Sequence, residues 1–516
     1  MRLVHALVPL LLTAAATDAA AQVTLTRTGG TLGGPLQHTI TGGQPFDAYV
    51  WIPSGNTGPT ALNLFDPLDA RSLDVGLDLF SFVAFGVLSP TGDATLTQNL
   101  GLNPSLAGLT IHAQAVTLPG VTTTVDAISN RVAFRLGLSG NSVNTVVDVP
   151  LGISGHTATS LPGGDVLLIG GEARDVSGSV VSSNQIVRYR HQTGEFDVLP
   201  GTLTTGRVAH TATLLTDGSV LVVGGTDGSG NVLSACERID PFTGASSAVP
   251  SLDTPRVLHT AVLLNDGRVY VACGTSTLDF SDPTAALLAI TNTTRLYNPI
   301  TNTWSNGTNV PGARIGHNAT KLGSGGVLVS GGLTYIVFLG FPIPSFTGAS
   351  CLFDGTNHTV TGSFANGRAF HAQALMSDGR VLLAGGADGD ILNLAFTTRN
   401  DARIFNPASG TWSNTNPIAQ ARAYGQLVRV PGDRMVLLGG LATVDSTTTS
   451  GNPANVIEVF TQGSSSWASP SNQLLPRPIG AVAVTDSQTF PRILTTGEAL
   501  LPVGSPVDFT AELFVP

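Results

Sequence analysis

Gly206–Gly225 reads GRVAHTATLLTDGSVLVVGG, and the same phrase returns along the chain from about residue 150 to the end. Its arginine, Arg207, aligns with Arg256, Arg314, Arg368, Arg422 and Arg477. Three residues later stand His210, His259, His317, His371, Gly425 and Gly480, and an earlier copy opens at His156 with Ile153 in the arginine's place. Fourteen residues on come Gly170-Gly171, Gly224-Gly225, Cys273-Gly274, Gly331-Gly332, Gly385-Gly386 and Gly439-Gly440. A period of roughly 50 residues built from short strands predicts an array of like sheets.

Each copy resolves into four strands, A to D. Strand A alternates apolar and polar residues, as from His210 to Leu215. A tight turn follows at Asp217-Gly218, Asp266-Gly267, Asp378-Gly379 and their counterparts. Asp-Gly supplies the positive φ angles that a two-residue hairpin turn needs. Strand B is a continuous apolar run such as Val220 to Val223, which suits a strand covered on both faces. It ends at the glycine pair, where the backbone bends or is approached closely. Strand C carries Tyr189, Ile239, Tyr297, Phe353, Phe405 and Phe460. Seven residues further, on strand D, stand Phe196, Ser246, Trp304, Val360, Trp412 and Trp467. Rings at this spacing are expected to pack between neighbouring sheets.

A glycine pair followed by a spaced aromatic pair resembles the kelch repeat family, over about residues 150–516. The resemblance implies a β-propeller of the bacterial secreted type related to the galactose oxidase central domain. Seven strand-A starts can be counted, at His156, His210, His259, His317, His371, Gly425 and Gly480. The last copy meets its glycine late, at Gly497, and stops at Phe514 in strand C. Val147-Asp148-Val149-Pro150 mimics Phe196-Asp197-Val198-Leu199-Pro200, and both precede a strand A. The missing strand is therefore expected from 143–149, because an open ring leaves unpaired edges. The expectation is an all-β chain with a seven-bladed kelch-type propeller over 141–516.

Residues 22–140 carry no such repeat. Short alternating runs at Val23 to Leu25, Asp47 to Ile52, Ala94 to Leu96, Leu109 to Ala113 and Val132 to Leu136 predict a small antiparallel β-sandwich. Leu106 to Val116 followed by Ser129 to Leu138 resembles a module of exported bacterial proteins. Met1-Arg2, the apolar run Leu7 to Thr13 and Ala19-Ala20-Ala21 read as a secretory signal over 1–21. The mature chain is expected to be secreted, periplasmic or on the cell surface, with no transmembrane segment. A net charge of -10 argues against nucleic-acid partners, which select a basic surface. Cys236, Cys273 and Cys351 are odd in number and scattered, so no disulfide framework is expected.

Loop length separates the two ends of the strands. A–B and C–D turns are short, while the B–C loops (172–184, 226–233, 275–292, 333–349, 387–399 and 441–454) are long and differ between copies. A protein or glycan ligand is expected on this long-loop face. The D-to-A connections emerge there too, which puts Arg207, Arg256, Arg314, Arg368, Arg422 and Arg477 around one opening. Two readings are open. Guanidinium clamps carboxylates, and in kelch propellers that hold acidic peptides, arginines entering strand A do much of the binding. Alternatively each arginine ties its blade to a backbone carbonyl. Histidine and arginine three apart on an extended strand point to opposite faces, so both rows cannot line one channel. The histidines are expected to pack, hydrogen-bonded, between blades, with no metal site. Asp227, Asn231, Asp388 and Asp390 read as turn residues rather than a calcium loop. Leu333 to Phe346, LTYIVFLGFPIPSF, contains no charge. With Tyr335, Phe338 and Phe341 exposed it is a contact patch; the other reading packs it on the front domain or prolongs strands B and C.

Exported kelch propellers include galactose oxidase and its copper-radical relatives. Ala421-Arg422-Ala423-Tyr424 resembles the strand that carries that family's cross-linked tyrosine. No cysteine stands at the needed distance in the preceding blade, and no Tyr-His pair occurs in the chain, so the copper ligand set is not found. The leading expectation is a non-catalytic binding module for a protein or cell-surface carbohydrate, with no cofactor. The alternatives are a galactose oxidase-like oxidoreductase and a structural envelope or matrix protein.

Overall fold

Strand B of each repeat is buried on both faces, and its alternate side chains belong to two different cores. Val166 and Leu168 pack with Ala483, Leu494 and Leu513, whereas Leu167 and Ile169 pack with Val220, Val222 and Ile239. This is the pattern of a sheet clasped between two others. The computed structural model describes residues 23–64, 69–120, 124–139, 142–145, 149–150, 155–174, 180–279, 281–390, 395–443, 452–469, 481–485, 492–496 and 511–516, with the backbone alone at 80, 142–144, 173–174 and 180. The expected signal over 1–21, Arg477, Gly480 and Gly497 lie outside the described residues.

Among the described residues, the repeat forms seven four-stranded antiparallel sheets, each with strands in the order A-B-C-D. The first runs Thr157–Ser160, Val166–Ile169, Gln185–Arg190, Glu195–Thr202. The second is Thr211–Leu214, Val220–Val223, Cys236–Ile239, Ser246–Val249, and the third Thr260–Leu263, Val269–Ala272, Thr294–Asn298, Thr303–Asn306. The fourth is Asn318–Lys321, Val327–Ser330, Ser350–Phe353, His358–Val360, and the fifth Ala372–Leu375, Val381–Ala384, Ala402–Asn406, Thr411–Thr415. The sixth is Gln426–Val430, Arg434–Leu438, Glu458–Thr461, Ser466–Ala468. The seventh joins Ala481–Thr485, Arg492–Thr496 and Glu512–Phe514 to Ser142–Asn144, with Ser142 opposite Phe514 and Asn144 opposite Glu512. The segment named from sequence was 143–149, of which 146–148 lie outside the described residues.

Each strand A lies beside the next, and that of the seventh sheet lies beside those of the sixth and the first. Apolar cores fill the seams between successive sheets, from Leu221, Val223 and Tyr297 to Val436, Ile493 and Phe514. The seam between seventh and first sheets is filled likewise by Leu494, Leu513, Val187 and Tyr189. Burying one such valine or leucine stabilises by about 1.5–3 kcal/mol. Cys236, Cys273 and Cys351 are free thiols within these cores, pushed up by burial to about 11, 12 and 11.

One local expectation needs correction. The A–B turn is not a two-residue hairpin: the Leu215 N–H donates to the Ser219 carbonyl (2.8 Å) and the Gly218 N–H to the Leu215 carbonyl (3.1 Å). This is a longer loop with a glycine bulge, in which Gly218 (φ 87) takes the positive angle and Asp217 does not. Asp217 instead accepts the Ser219 N–H at 3.0 Å. In the fourth sheet Phe353 faces His358, not Val360, because the C–D turn is two residues shorter. Elsewhere Tyr189–Phe196, Tyr297–Trp304, Phe405–Trp412 and Phe460–Trp467 face each other across strands C and D of one sheet, and the expected packing between sheets is seen at Tyr297, which meets Leu221 and Val223 of the second sheet.

The chain divides into two compact units. Among the described residues, the first comprises 23–27, Leu36–Gln98 and Ile111–Ala133; residues 28–35, 99–110 and 134–139 group with the repeat instead. The first unit's antiparallel strands contribute to one core of Leu25, Ile40, Trp51, Ala113, Ala115 and Val132. Among the described residues, no helix is long and apolar enough to cross a membrane.

Candidate functional site

The described arginines of the repeat are buried, with Arg207, Arg256 and Arg368 at 0% exposure. Their guanidiniums face carbonyls. Arg207 donates to the Gly224 oxygen (3.2 Å), Arg256 to Cys273 (3.2 Å), Arg314 to Gly331 (3.2 Å), Arg368 to Gly385 (3.1 Å) and Arg422 to Gly439 (3.2 Å). Each of those acceptors is the first residue of the glycine pair in the same sheet. A second carbonyl at the entry to strand C is also bound, Ala235 by Arg207 (2.9 Å) and Ala349 by Arg314 (3.0 Å). Three of the five add a carboxylate: Glu237 for Arg207 (2.5 Å), Asp401 for Arg368 (2.5 Å) and Glu458 for Arg422 (2.9 Å). Burial pulls Arg207, Arg256 and Arg422 below the usual arginine range, and Glu237 and Glu458 oppose it for their own partners. The geometry is that of a clamp on the protein's own backbone, and Arg477 lies outside the described residues.

Between arginine and histidine the chain is not extended. Ala209, Leu258, Phe370 and Tyr424 adopt positive φ (53, 55, 57 and 59), as do Gly155 and Gly316 (64 and 59) at the same position. For residues with side chains this conformation costs roughly 1–2 kcal/mol. Backbone bonds join these positions to one another: Ala209 N–H to the Gly155 oxygen, Phe370 to Gly316, and Tyr424 to Phe370 (3.2, 2.7 and 2.9 Å). A left-handed residue thus stands where an extended strand was expected, and both side chains are buried, the arginine reaching into its own sheet and the histidine towards the preceding one.

The histidines bridge the sheets. His210 Nε2 meets Thr157 Oγ1 at 3.0 Å, His259 meets Thr211 at 3.0 Å, and His317 meets Thr260 at 2.9 Å. His156 meets Thr496 at 2.6 Å and His371 meets Ser330 at 3.3 Å. Burial, with the neighbouring arginine charge adding to it, holds His210, His259 and His371 down at about 3 and His317 well below its ordinary value. No group of three His, Cys, Asp or Glu side chains among the described residues is placed to hold a metal ion. Asp227 is occupied by the Ser229 and Asn231 N–H groups (both 2.9 Å), and Asp388 pairs with Arg399.

Leu333–Phe338 and Phe341–Phe346 form a separate two-stranded hairpin beyond the glycine pair of the fourth sheet. Leu339 and Gly340 make its turn, both at positive φ (50 and 88), as a two-residue loop requires. Its base is packed, with Leu333, Tyr335 and Phe346 against Leu287, Ile315 and Phe370. Its tip is not: Ile336, Val337, Phe338, Leu339 and Phe341 are 56–82% exposed. The segment therefore does form strands past B and C, and still presents an uncharged apolar end. Of the residues singled out in it, Phe338 and Phe341 reach solvent and Tyr335 is half-buried.

Sequence alone missed the left-handed row, the strand-A threonines that meet the histidines, and the arginines' carboxylate partners. Those acids lie 30, 33 and 36 residues after their arginines, and the variable B–C loops conceal the register.

No family model matches the chain, and no curated protein matches it. Solved structures do. A fungal alcohol oxidase of the AA5 family, in complex with copper, is 16% identical with a TM-score of 0.54, covering 72% of this chain and 75% of its own. A structure described as YjhT is also 16% identical, with a TM-score of 0.45, covering 63% of this chain and 99% of its own. The likeness to the oxidase is one of fold, an all-β architecture. The described residues around Tyr424 do not make a copper-ligand set. Its ring stacks on Phe370 at 4.3 Å, burial raises its phenol to about 12, and the strand-A histidines turn Nε2 to hydroxyls of neighbouring sheets.

Proposed function

We propose that this chain is an exported, non-catalytic recognition module. In this reading it is a seven-bladed kelch-type β-propeller over 141–516 following a β-sandwich over 22–140, freed of a signal over 1–21. Supporting the ring are the seven like sheets, the side-by-side strands A and the core between seventh and first sheets. Its long-loop end takes a partner protein through the hairpin of the fourth sheet.

The exposed tip from Ile336 to Phe341 carries this reading. An uncharged run of aliphatic and aromatic side chains, standing on a packed base, is costly to leave in water and suits a complementary apolar face. A chain of net charge -10 with no cation in this segment has little attraction for an anionic membrane, which favours a protein. The arginine row is left out of the site because its donors already face carbonyls. The likeness to the alcohol oxidase fits an enzyme as well as a binding module, so chemistry has to be tested directly.

A phage-displayed peptide library panned against the purified chain is expected to return apolar, aromatic-rich binders. The double variant Phe338→Ser, Phe341→Ser should lose them with an unchanged melting temperature. Stoichiometric copper together with peroxide release from sugars or simple alcohols would overturn the reading in favour of an oxidase.

A further inference from the structure

At the opposite end of the strands from the hairpin, the turns of the second sheet border a groove of about 500 Å³. Asp217 and Ser219 of its A–B turn, Arg238, and Asp240 and Phe242 of its C–D turn line it. This sheet is exceptional among the seven described. Ile239 faces Ser246 across strands C and D, where five others set two rings 4.8–5.1 Å apart and the seventh has Phe514. Its aromatic residue stands instead on the turn tip, where Phe242 is 66% exposed.

We infer that this groove is a binding site for a neutral saccharide, on the face opposite the hairpin. The Phe242 ring is fixed from one side. The Arg188 guanidinium lies 4.6 Å from its centroid and is itself held by Asp165 at 2.6 Å. A fixed, exposed ring is a platform for the C–H face of a pyranose. The polar groups beside it are equally pre-set. Arg238, 26% exposed, is held by the Ser219 hydroxyl (2.7 Å) and by the carboxylate of Asp217, which is 46% exposed. Asp240 accepts the Phe242 and Thr243 N–H groups through Oδ1 (2.8 and 3.3 Å), which locks the turn that carries the ring. Each carboxylate offers further lone pairs than these bonds use, and sugar hydroxyls are donors and acceptors at once. Two carboxylates against one guanidinium leave the lining net negative, which disfavours uronic acids and phosphates. The groove's volume lies within the range of small-ligand sites. It is open at one side, so a single sugar is expected to bind with a Kd on the order of 1 mM.

The test is saturation-transfer NMR on the full chain with methyl glycosides of glucose, galactose, mannose and N-acetylglucosamine, and with glucuronate as control. At least one neutral glycoside should receive transfer. Phe242→Ala should weaken it at least tenfold, Phe242→Trp should keep it, and Asp240→Asn, which preserves the turn, should weaken it. The hairpin variant Phe338→Ser, Phe341→Ser should leave it unchanged, so this site stands or falls apart from the peptide-binding reading. Transfer to none of the neutral glycosides, transfer undiminished in Phe242→Ala, or preference for glucuronate would overturn the inference.

Discussion

Gly225 donates its N–H to the carbonyl of Arg256 across the seam between the second and third sheets, at 2.9 Å. The bond recurs as Gly171 to Arg207, Gly274 to Arg314, Gly332 to Arg368 and Gly386 to Arg422 (2.8, 3.1, 2.7 and 2.8 Å). Each arginine then reaches the first carbonyl of its own glycine pair. Sheet is thus tied to sheet through one residue that uses its carbonyl backwards and its side chain forwards. Both features that define the repeat in sequence are the two ends of this tie.

The arginines should accordingly differ in what they cost to remove. Arg207→Ala strands the buried Glu237 carboxylate, and Arg422→Ala strands Glu458; breaking such a pair costs about 3–5 kcal/mol. Arg314→Ala leaves only carbonyls without this donor, those of Pro311, Gly312, Gly331 and Ala349 at 2.7–3.2 Å from the guanidinium it removes, and is expected to cost about 1–3 kcal/mol. Denaturant midpoints would rank the three. A midpoint unmoved by Arg207→Ala, with weakened ligand capture, would return the row to a binding role.

The glycine pair predicts an asymmetry within itself. Its first position has φ near that of an ordinary left-handed residue, and Cys273 occupies it at φ 59. The second lies at φ 92–114 in all six pairs, and a Cβ on Gly274 would stand 2.9 Å from the Val257 oxygen. Cys273→Gly relieves strain of about 1 kcal/mol while losing some packing, so its stability should stay within about 1 kcal/mol of the parent. Gly274→Ala has no such relief and should destabilise by several times that amount, on the order of 3 kcal/mol. Equal effects from the two substitutions would discount the backbone argument.

How far the sequence carries depends on whether a feature repeats in register. The glycine pairs, the strand-B runs and the ring pairs recur at fixed offsets, so the sheets, their strand order and most C–D partners are readable before any coordinates. The acids that meet Arg207 and Arg422 follow B–C loops of unequal length, which scrambles their offset. The left-handed bend is hidden for another reason: Ala209, Leu258, Phe370 and Tyr424 share no residue type, because the surrounding bonds impose the conformation. Phe242 reads as an ordinary turn residue until Ile239 and Ser246 are seen opposite each other without a ring.

Acid should loosen the array of sheets through its histidines. His210, His259 and His371 are held at about 3 in the fold, against an unfolded value near 6.5. Their folded values are lowered, so below pH 6.5 the unfolded chain takes up protons that the folded chain refuses. Stability is therefore full above that value and falls as the pH drops towards 3. Each histidine contributes up to about 1.4 kcal/mol per pH unit within the window. Urea midpoints at pH 7.5 and 5 should differ accordingly, and His259→Gln should flatten the difference. An identical slope in the variant would assign the acid lability to other groups.

Closure of the array rests on the last short strand. Glu512–Phe514 pairs with Arg492–Thr496 on one side and with Ser142–Asn144 on the other. Its side chains fill two seams: Leu513 with Val166, Leu168 and Tyr189 of the first sheet, and Phe514 with Val436 and Ile493 towards the sixth. Removing residues 511–516 would leave two unpaired strand edges and two open apolar seams. Unpaired edges template aggregation, and an array whose sheets share their cores with both neighbours has no local way to repair the gap. The truncated chain is expected to lose a single cooperative unfolding transition and to bind a hydrophobic dye at neutral pH. The milder Phe514→Ala, at a side chain 1% exposed, should keep cooperativity and lower stability by about 3–5 kcal/mol. A truncated chain with the parent's midpoint and no dye binding would mean that the sheets hold together without this strand.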